Sequence, residues 1–220
     1  MDVVILNTDE GWNQTLRYCI RSIEQYCEYN NIYVVGYLPD YLDCNHIPQT
    51  NEWPIAQIDG TDKLRKAVEH PEISDEFILF HDDMYLLESY QPTQYHHGWL
   101  SDKYDNLGDC KRKNCIRITL KYLGQGRNYE LHFPMPMIKS EVQEMLSTYR
   151  WKYGIVYYSL YANLYDSFAK EDRKDCKIMH QKVTESDIKG QRCFSTQSEG
   201  NHLKELMETI YPKPSVYEVY

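Results

Sequence analysis

The residues best suited to chemistry concentrate at one point of the chain, Phe80-His81-Asp82-Asp83-Met84. The run before them, Phe77-Ile78-Leu79-Phe80, is apolar at every position, the pattern of a strand inside a helix-covered parallel sheet. Ligands of open parallel sheets bind beyond the carboxyl ends of the strands. Two adjacent carboxylates at such an end repel each other, and a cation relieves that cost. Oxygen donors suit Mg²⁺ or Mn²⁺, and Mg²⁺ is typically held by one or two carboxylates together with substrate phosphates. The chain has neither a GxxxxGKS/T loop nor a GxGxxG turn, so a nucleotide would be held through a metal rather than a glycine cradle. An anionic ligand also needs local positive charge. Lys63, Arg65 and Lys66 precede the strand, Arg17 lies on the first predicted helix, and Lys111-Arg112-Lys113 are expected in a loop able to fold over a site.

Several elements must position these groups. Asp2–Leu6 reads as a first strand and Ile32–Gly36 as a second. Between them, from Trp12 to Tyr29, Leu16, Cys19/Ile20, Ile23 and Tyr26/Cys27 recur at helical steps, with Asn13 as N-cap. Asn45 to Pro48 reads as loop, Pro54–Ile58 as a short edge strand, and Asp62 onward as a short helix that Pro71 stops. Strands alternating with helices argue a parallel α/β unit. Residues 88–115 are polar and poorly periodic, which predicts an irregular excursion over a site. Ile116–Leu120 alternates as a strand does, Ser140–Tyr149 reads as a helix with a Ser140…Gln143 capping box, and a further helix spans Ile155 to Ala169. Its Tyr157, Tyr158, Tyr161 and Tyr165 stripe is expected in the core with phenols reaching polar partners. Asn201–Tyr211 is a last helix, ended by Pro212.

Three stretches carry a resemblance. They are Leu16-Arg17-Tyr18-Cys19-Ile20-Arg21-Ser22-Ile23-Glu24, Asn31-Ile32-Tyr33-Val34-Val35-Gly36, and Ser74 through Tyr85 with its Phe80-His81-Asp82-Asp83-Met84 core. Together they resemble the GT-A glycosyltransferase superfamily, in particular the Stealth-type sugar-phosphate transferases and small phage and bacterial glycosyltransferases. His132-Phe133-Pro134-Met135-Pro136-Met137, Phe194-Ser195-Thr196 and Tyr211 through Glu218 are similar to downstream segments of that group. The resemblance implies an α/β fold, GT-A-like (Rossmann-like), with a mostly parallel central sheet flanked by helices and an irregular, helix-rich C-terminal half. It implies one domain over 1–220, with 1–87 the nucleotide-binding half and 88–220 the acceptor side. It makes Asp83 the leading metal ligand, and Asp82 a second ligand or a donor-ribose contact. Asn7 and Thr8 fall where such folds hold the base, and Asp59 and Lys63 where they contact nucleoside and phosphates. His132 would ligate the metal or touch the diphosphate, with His81 and Arg17 beside the donor; His180 and His202 are weaker versions of the same idea. His81 stands where Asn is usual in the Stealth-type motif, which favours plain glycosyl transfer.

The expected reaction is metal-dependent transfer of a sugar from a nucleoside-diphosphate sugar to a hydroxyl, with Mn²⁺ or Mg²⁺ and a cation such as Lys63 stabilising the departing diphosphate. If the stereochemistry inverts, a carboxylate must take the acceptor proton; Glu130, Asp109, Glu185 and Asp187 are open candidates. Sugar-1-phosphate transfer, glycosylation of hydroxylated DNA bases and a degenerate binding module stay as alternatives. The acceptor is a saccharide or, less favoured, modified DNA.

Composition sets limits on these readings. Over 220 residues the formal charge is −9, with 24 Lys plus Arg against 33 Asp plus Glu, so a basic nucleic-acid-coating protein is excluded. The aromatic residues are dominated by 21 Tyr, too many for a disordered chain; with Trp99 and Trp151 they could also offer flat faces to a sugar. Seven scattered Cys, no secretory leader pattern and no apolar membrane span predict reduced thiols and a cytoplasmic location.

Overall fold

The computed structural model describes residues 1–8, 14–180, 182–196 and 200–219. The Asn13 N-cap therefore lies outside the described residues. The central sheet has five strands in the order β3-β2-β1-β4-β7: β1 (Asp2–Asn7), β2 (Ile32–Gly36), β3 (Asn45–Pro48), β4 (Glu76–His81) and β7 (Met135–Ile138). The first four are parallel, and β7 closes the edge antiparallel to β4. Val3 to Leu6 and Phe77 to Phe80 are wholly buried, because helices cover both faces of this sheet, as apolar runs without alternation demand. The fold is mixed α/β with a mostly parallel sheet, as the motifs imply.

Helices α1 (Gln14–Tyr26) and α2 (Ala56–Glu69) supply the crossovers of the first half. The remainder carries β5 (Met84–Leu86), β6 (Thr93–His96), α3 (Leu100–Asn106), α4 (Lys111–Leu123), α5 (Lys139–Thr148), α6 (Tyr157–Leu164), β8 (Ala169–Asp172), β9 (Lys177–Ile178), α7 (Glu185–Ile188), β10 (Cys193–Thr196) and α8 (Asn201–Ile210). Strands β5, β10 and β9 form a small three-stranded sheet, and β6 pairs with β8. The main hydrophobic core runs from Val3 to Tyr211, and a second, small cluster joins Leu100, Cys115, Ile116 and Val156.

Several expectations are corrected. The edge strand is Asn45–Pro48, where Pro48 is tolerated because an edge leaves its missing N–H unneeded. Pro54 and Ile55 instead lead into α2, which begins at Ala56 rather than Asp62. Ile116–Leu120 is helical, within α4: the buried positions are Cys115, Ile116 and Thr119, a helical spacing that a five-residue alternation imitates. Lys111-Arg112-Lys113 is the first turn of that helix rather than a loop, and residues 88–115 contain β6 and α3. Helix α5 starts at Lys139 without a side-chain cap. Gln143 donates to the Val68 carbonyl (2.6 Å) instead of closing a capping box. Helix α6 stops at Leu164, and Ala169 belongs to β8.

At one place the fold depends on a glycine. Gly36 ends β2 with φ +118°, and a Cβ there would lie 2.0 Å from the Asn7 carbonyl oxygen. Only glycine lets the ends of β1 and β2 approach this closely.

Candidate active site

The register of β1 and β4 sets the geometry. Leu6 pairs with His81, so the chain leaves both strands at the same level, at Asn7-Thr8 on one and Asp82-Asp83 on the other. The two aspartates form the turn between β4 and β5. Helix α1 buttresses that turn: Thr15 Oγ1 donates to Asp82 Oδ2 (3.0 Å), and Cys19 Sγ donates to the His81 carbonyl (3.6 Å). The small sheet holds the other side. Ser195 of β10 and Lys177 of β9 are register partners, and both donate to Asp83 Oδ2, at 2.8 Å and 3.2 Å.

Over the turn lies a cleft of about 350 Å³, within the size range of small-molecule sites. Thr8, His81, Asp82, Asp83, Glu130 and His132 line it, and so do Arg112, Tyr157, Tyr158 and Lys177. Burial would raise the Asp83 carboxyl, but the Lys177 ammonium, His81 and the Ser195 hydroxyl hold it below the usual carboxylate range. Burial pushes the His81 imidazole down, against the pull of Asp83, so it is neutral at pH 7. Its Nε2 shares a 2.9 Å hydrogen bond with the Tyr157 hydroxyl.

His132 is oriented by a residue to which the sequence assigned no role. The Asp175 carboxylate meets His132 Nδ1 at 3.0 and 3.1 Å and also accepts its backbone N–H (3.0 Å). With Nδ1 committed there, Nε2 is the ring nitrogen left for a ligand. Burial would raise the Asp175 carboxyl, yet the His132 hydrogen bond and charge outweigh it and hold the group at about 2.

Other predicted residues lie elsewhere. Lys63 is fully buried and donates to Asp59 Oδ2 and Asn51 Oδ1, both at 2.7 Å, so Asp59 and Lys63 form an internal pair behind the cleft. Asn7 is buried and donates to the Tyr37 carbonyl (2.7 Å). Arg17 lies 3.2 Å from Glu218 and over the Tyr41 ring, away from the cleft. Asp187 caps its own helix through Thr184 (2.8 Å to the backbone N–H) and is not brought into the cleft. His180 faces Asp187 (3.3 Å), and His202 bonds the Val183 carbonyl (2.8 Å). Tyr157, Tyr158 and Tyr161 are buried as the stripe predicts, but the first two also reach the cleft. Trp151 packs on Trp53, and Trp99 lies under Arg127. Lys177, Ser195 and Asp175 are the contributors that sequence reasoning missed. Ser195 sat in a quoted motif without a role, and no local signal marks the other two.

The donor set bears on a metal. Among the described residues no three His, Cys, Asp or Glu side chains gather into a ready cage. The cleft is lined by three carboxylates, Asp82, Asp83 and Glu130, and two imidazoles, His81 and His132; these are hard or borderline donors, which fits an ion completed by substrate oxygens rather than by protein alone.

No family model and no curated protein matches the chain. Among solved structures, the galactosyltransferase LgtC, in complex with donor and acceptor sugar analogs, matches over 98% of this chain and 97% of its own, at TM-score 0.51 and 11% identity. The fold is GT-A-like. At that identity the likeness is one of fold. A glycosyltransferase involved in glycosylation of the major capsid of PBCV-1 matches over 95% of this chain and 100% of its own, at TM-score 0.44 and 11% identity. No helix among the described residues is long and apolar enough to cross a membrane.

Proposed function

We propose that this chain is a glycosyltransferase moving a sugar from a nucleoside-diphosphate sugar to a hydroxyl acceptor. The observation that carries this reading is the Asp82-Asp83 turn, set at the floor of a cleft beyond the carboxyl ends of parallel strands. That is where open parallel sheets bind ligands. A Mg²⁺ or Mn²⁺ ion held by Asp82 and Asp83 and completed by substrate oxygens would supply positive charge against the departing diphosphate, with His132 facing the same cleft.

The chain's own residues do the remaining work. Thr15 and Ser195 fix the two carboxylates before any ligand arrives, which lowers the reorganisation needed on binding. Lys177 faces Asp83 at 3.2 Å and lines the cleft, where it would meet the negative charge of a diphosphate. The first residues of α2, Ala56 and Gln57, also line the cleft, and a helix start favours negative charge. Glu130 is the one predicted proton acceptor that lines the cleft; Asp187 does not.

The test is a thermal-shift and calorimetric panel of nucleoside diphosphates and nucleotide sugars, with and without Mn²⁺. A ligand at a hundredfold its Kd adds about 2.7 kcal/mol of stability, which moves the melting point of a chain this size by roughly 5–10 °C. Wild type should show such a shift only with metal, and Asp83→Ala should lose it. Equal stabilisation of Asp83→Ala would sink the proposal. The mass of the released nucleotide separates sugar transfer, which leaves a diphosphate, from sugar-phosphate transfer, which leaves a monophosphate.

A further inference from the structure

One wall of the cleft is not explained by holding a diphosphate. It is built from Arg112 in the first turn of α4, Tyr158 on α6, and Glu130 in the segment before β7. The Glu130 backbone is clamped on both sides: its N–H donates to Asn128 Oδ1 (3.1 Å), and its carbonyl accepts the Lys103 ammonium (2.6 Å). The side chain is therefore delivered from a fixed point. An Arg112 guanidinium nitrogen approaches Glu130 Oε2 no closer than 3.6 Å, too far for a good hydrogen bond. Glu130 Oε1, Arg112 Nε and the Tyr158 hydroxyl are all buried without a hydrogen-bond partner among the described residues. Buried polar groups are rarely left so. Three on one cleft wall form a set: an acceptor, a donor, and a hydroxyl that is both.

The geometry points to a wall that receives the hydroxyls of the donor's glycosyl ring, and hence to a neutral hexose rather than an acid sugar as the group transferred. This rests on the transferase reading of the same cleft. A sugar hydroxyl donates one hydrogen bond and accepts others, so it can give its proton to Glu130 Oε1 while accepting from Tyr158 or Arg112 Nε. A sugar carboxylate can only accept. Against this wall it would leave Glu130 Oε1 unpaired and set two negative charges together. Among the described residues lining the cleft, the lysine and the arginine, Lys177 and Arg112, each already face a carboxylate, Asp83 and Glu130. Balancing an acid sugar would draw one of these cations away from its carboxylate. Selectivity of this kind is large, because a site built for hydroxyls leaves its own buried groups unpaired when the wrong ligand binds.

Calorimetry on the full chain with Mn²⁺ tests this with matched ligands: UDP, UDP-glucose and UDP-glucuronate, and GDP, GDP-mannose and GDP-mannuronate. In the series whose diphosphate binds, the hexose ligand should bind at least tenfold more tightly than the uronate. Glu130→Gln, which keeps the shape and removes the charge, should narrow that ratio to within about threefold while the plain diphosphate changes less than twofold. Tyr158→Phe should weaken the hexose ligand and leave the diphosphate alone. A uronate that binds as tightly as the hexose, or a ratio unmoved by Glu130→Gln in a variant that melts like wild type, overturns the inference and leaves the transferase reading standing. Absence of binding by either plain diphosphate overturns both.

Discussion

Lys63 and Lys177 each face a carboxylate, at 2.7 Å to Asp59 and 3.2 Å to Asp83, yet the two pairs serve different ends. The Lys177 pair borders the cleft, where a ligand can rearrange it. The Lys63 pair is sealed: the lysine side chain has no exposure, and Gly36 brings backbone close against its stem. A buried pair adds little by its formation, because desolvation offsets the attraction, but removing one partner strands the other charge. Lys63→Met should therefore lower the unfolding free energy by about 3–5 kcal/mol, read from the shift of a denaturant midpoint. Nucleotide affinity of the folded fraction should stay within twofold of wild type. A variant of normal stability that loses nucleotide affinity would show instead that Lys63 reaches the phosphates. Local sequence placed this lysine beside a site because it lies one helix before the aspartate turn; the direction it faces depends on Asn51 and Asp59, which spacing alone does not reveal.

Elements were legible where burial is complete and contacts are local. Strands β1, β2 and β4 read correctly because both faces are covered, so every position from Val3 to Leu6 and from Phe77 to Phe80 is apolar. Strands β9 and β10, of two and four residues, have no such signature. They exist because they pair across the chain with each other and with β5, and with them came Lys177 and Ser195. Asp175 escaped for the same reason, since it meets His132 only across 43 positions of sequence. Helix α4 was misread from a five-residue alternation; Cys115 and Ile116 pack it against Leu100 and Val156, and one side chain adds a hydrogen-bonded tie. Buried Thr119 donates to the Cys115 carbonyl and accepts the Val156 N–H, each at 3.0 Å. That bond ties α4, which carries Arg112, to the start of α6, which carries Tyr157 and Tyr158. Thr119→Val keeps the volume but orphans the Val156 N–H. The expected cost is about 1–3 kcal/mol, with a faster amide exchange at Val156 and weaker ligand binding as the wall loosens. An unchanged melting point would mean that α4 and α6 are held by packing alone.

At the scale of the whole molecule, the net charge of −9 makes each buried carboxylate–cation contact a point where pH acts. The last residues bind back onto the first half. Asp43 donates its N–H to the Tyr217 carbonyl (2.8 Å) and Val219 donates to Tyr41 (2.9 Å). Between these bonds, Glu218 accepts from Arg21 at 2.6 and 2.9 Å and from the Ser215 N–H at 2.9 Å. Burial would raise the Glu218 carboxyl, but Arg21, the Ser215 N–H and Arg17 together hold it below its ordinary value. A carboxyl depressed in the folded state stabilises the protein above its unfolded pKa, and that contribution is lost as pH falls through the folded one. Glu218→Gln should thus cost about 2–4 kcal/mol at pH 7, where it removes the negative member of the Arg21–Glu218 contact. The gap from wild type should begin to close below the ordinary glutamate pKa of about 4.3, because protonation removes the same charge from the native protein. Because the tail, α1 and the central sheet share one core, both proteins should unfold in a single transition at every pH. Denaturant curves at pH 7, 5 and 3, followed by far-ultraviolet circular dichroism and tryptophan fluorescence, check both points. A gap that stays constant with pH would remove the Glu218 charge from the account, and two separated transitions would divide the molecule into units that its core does not show.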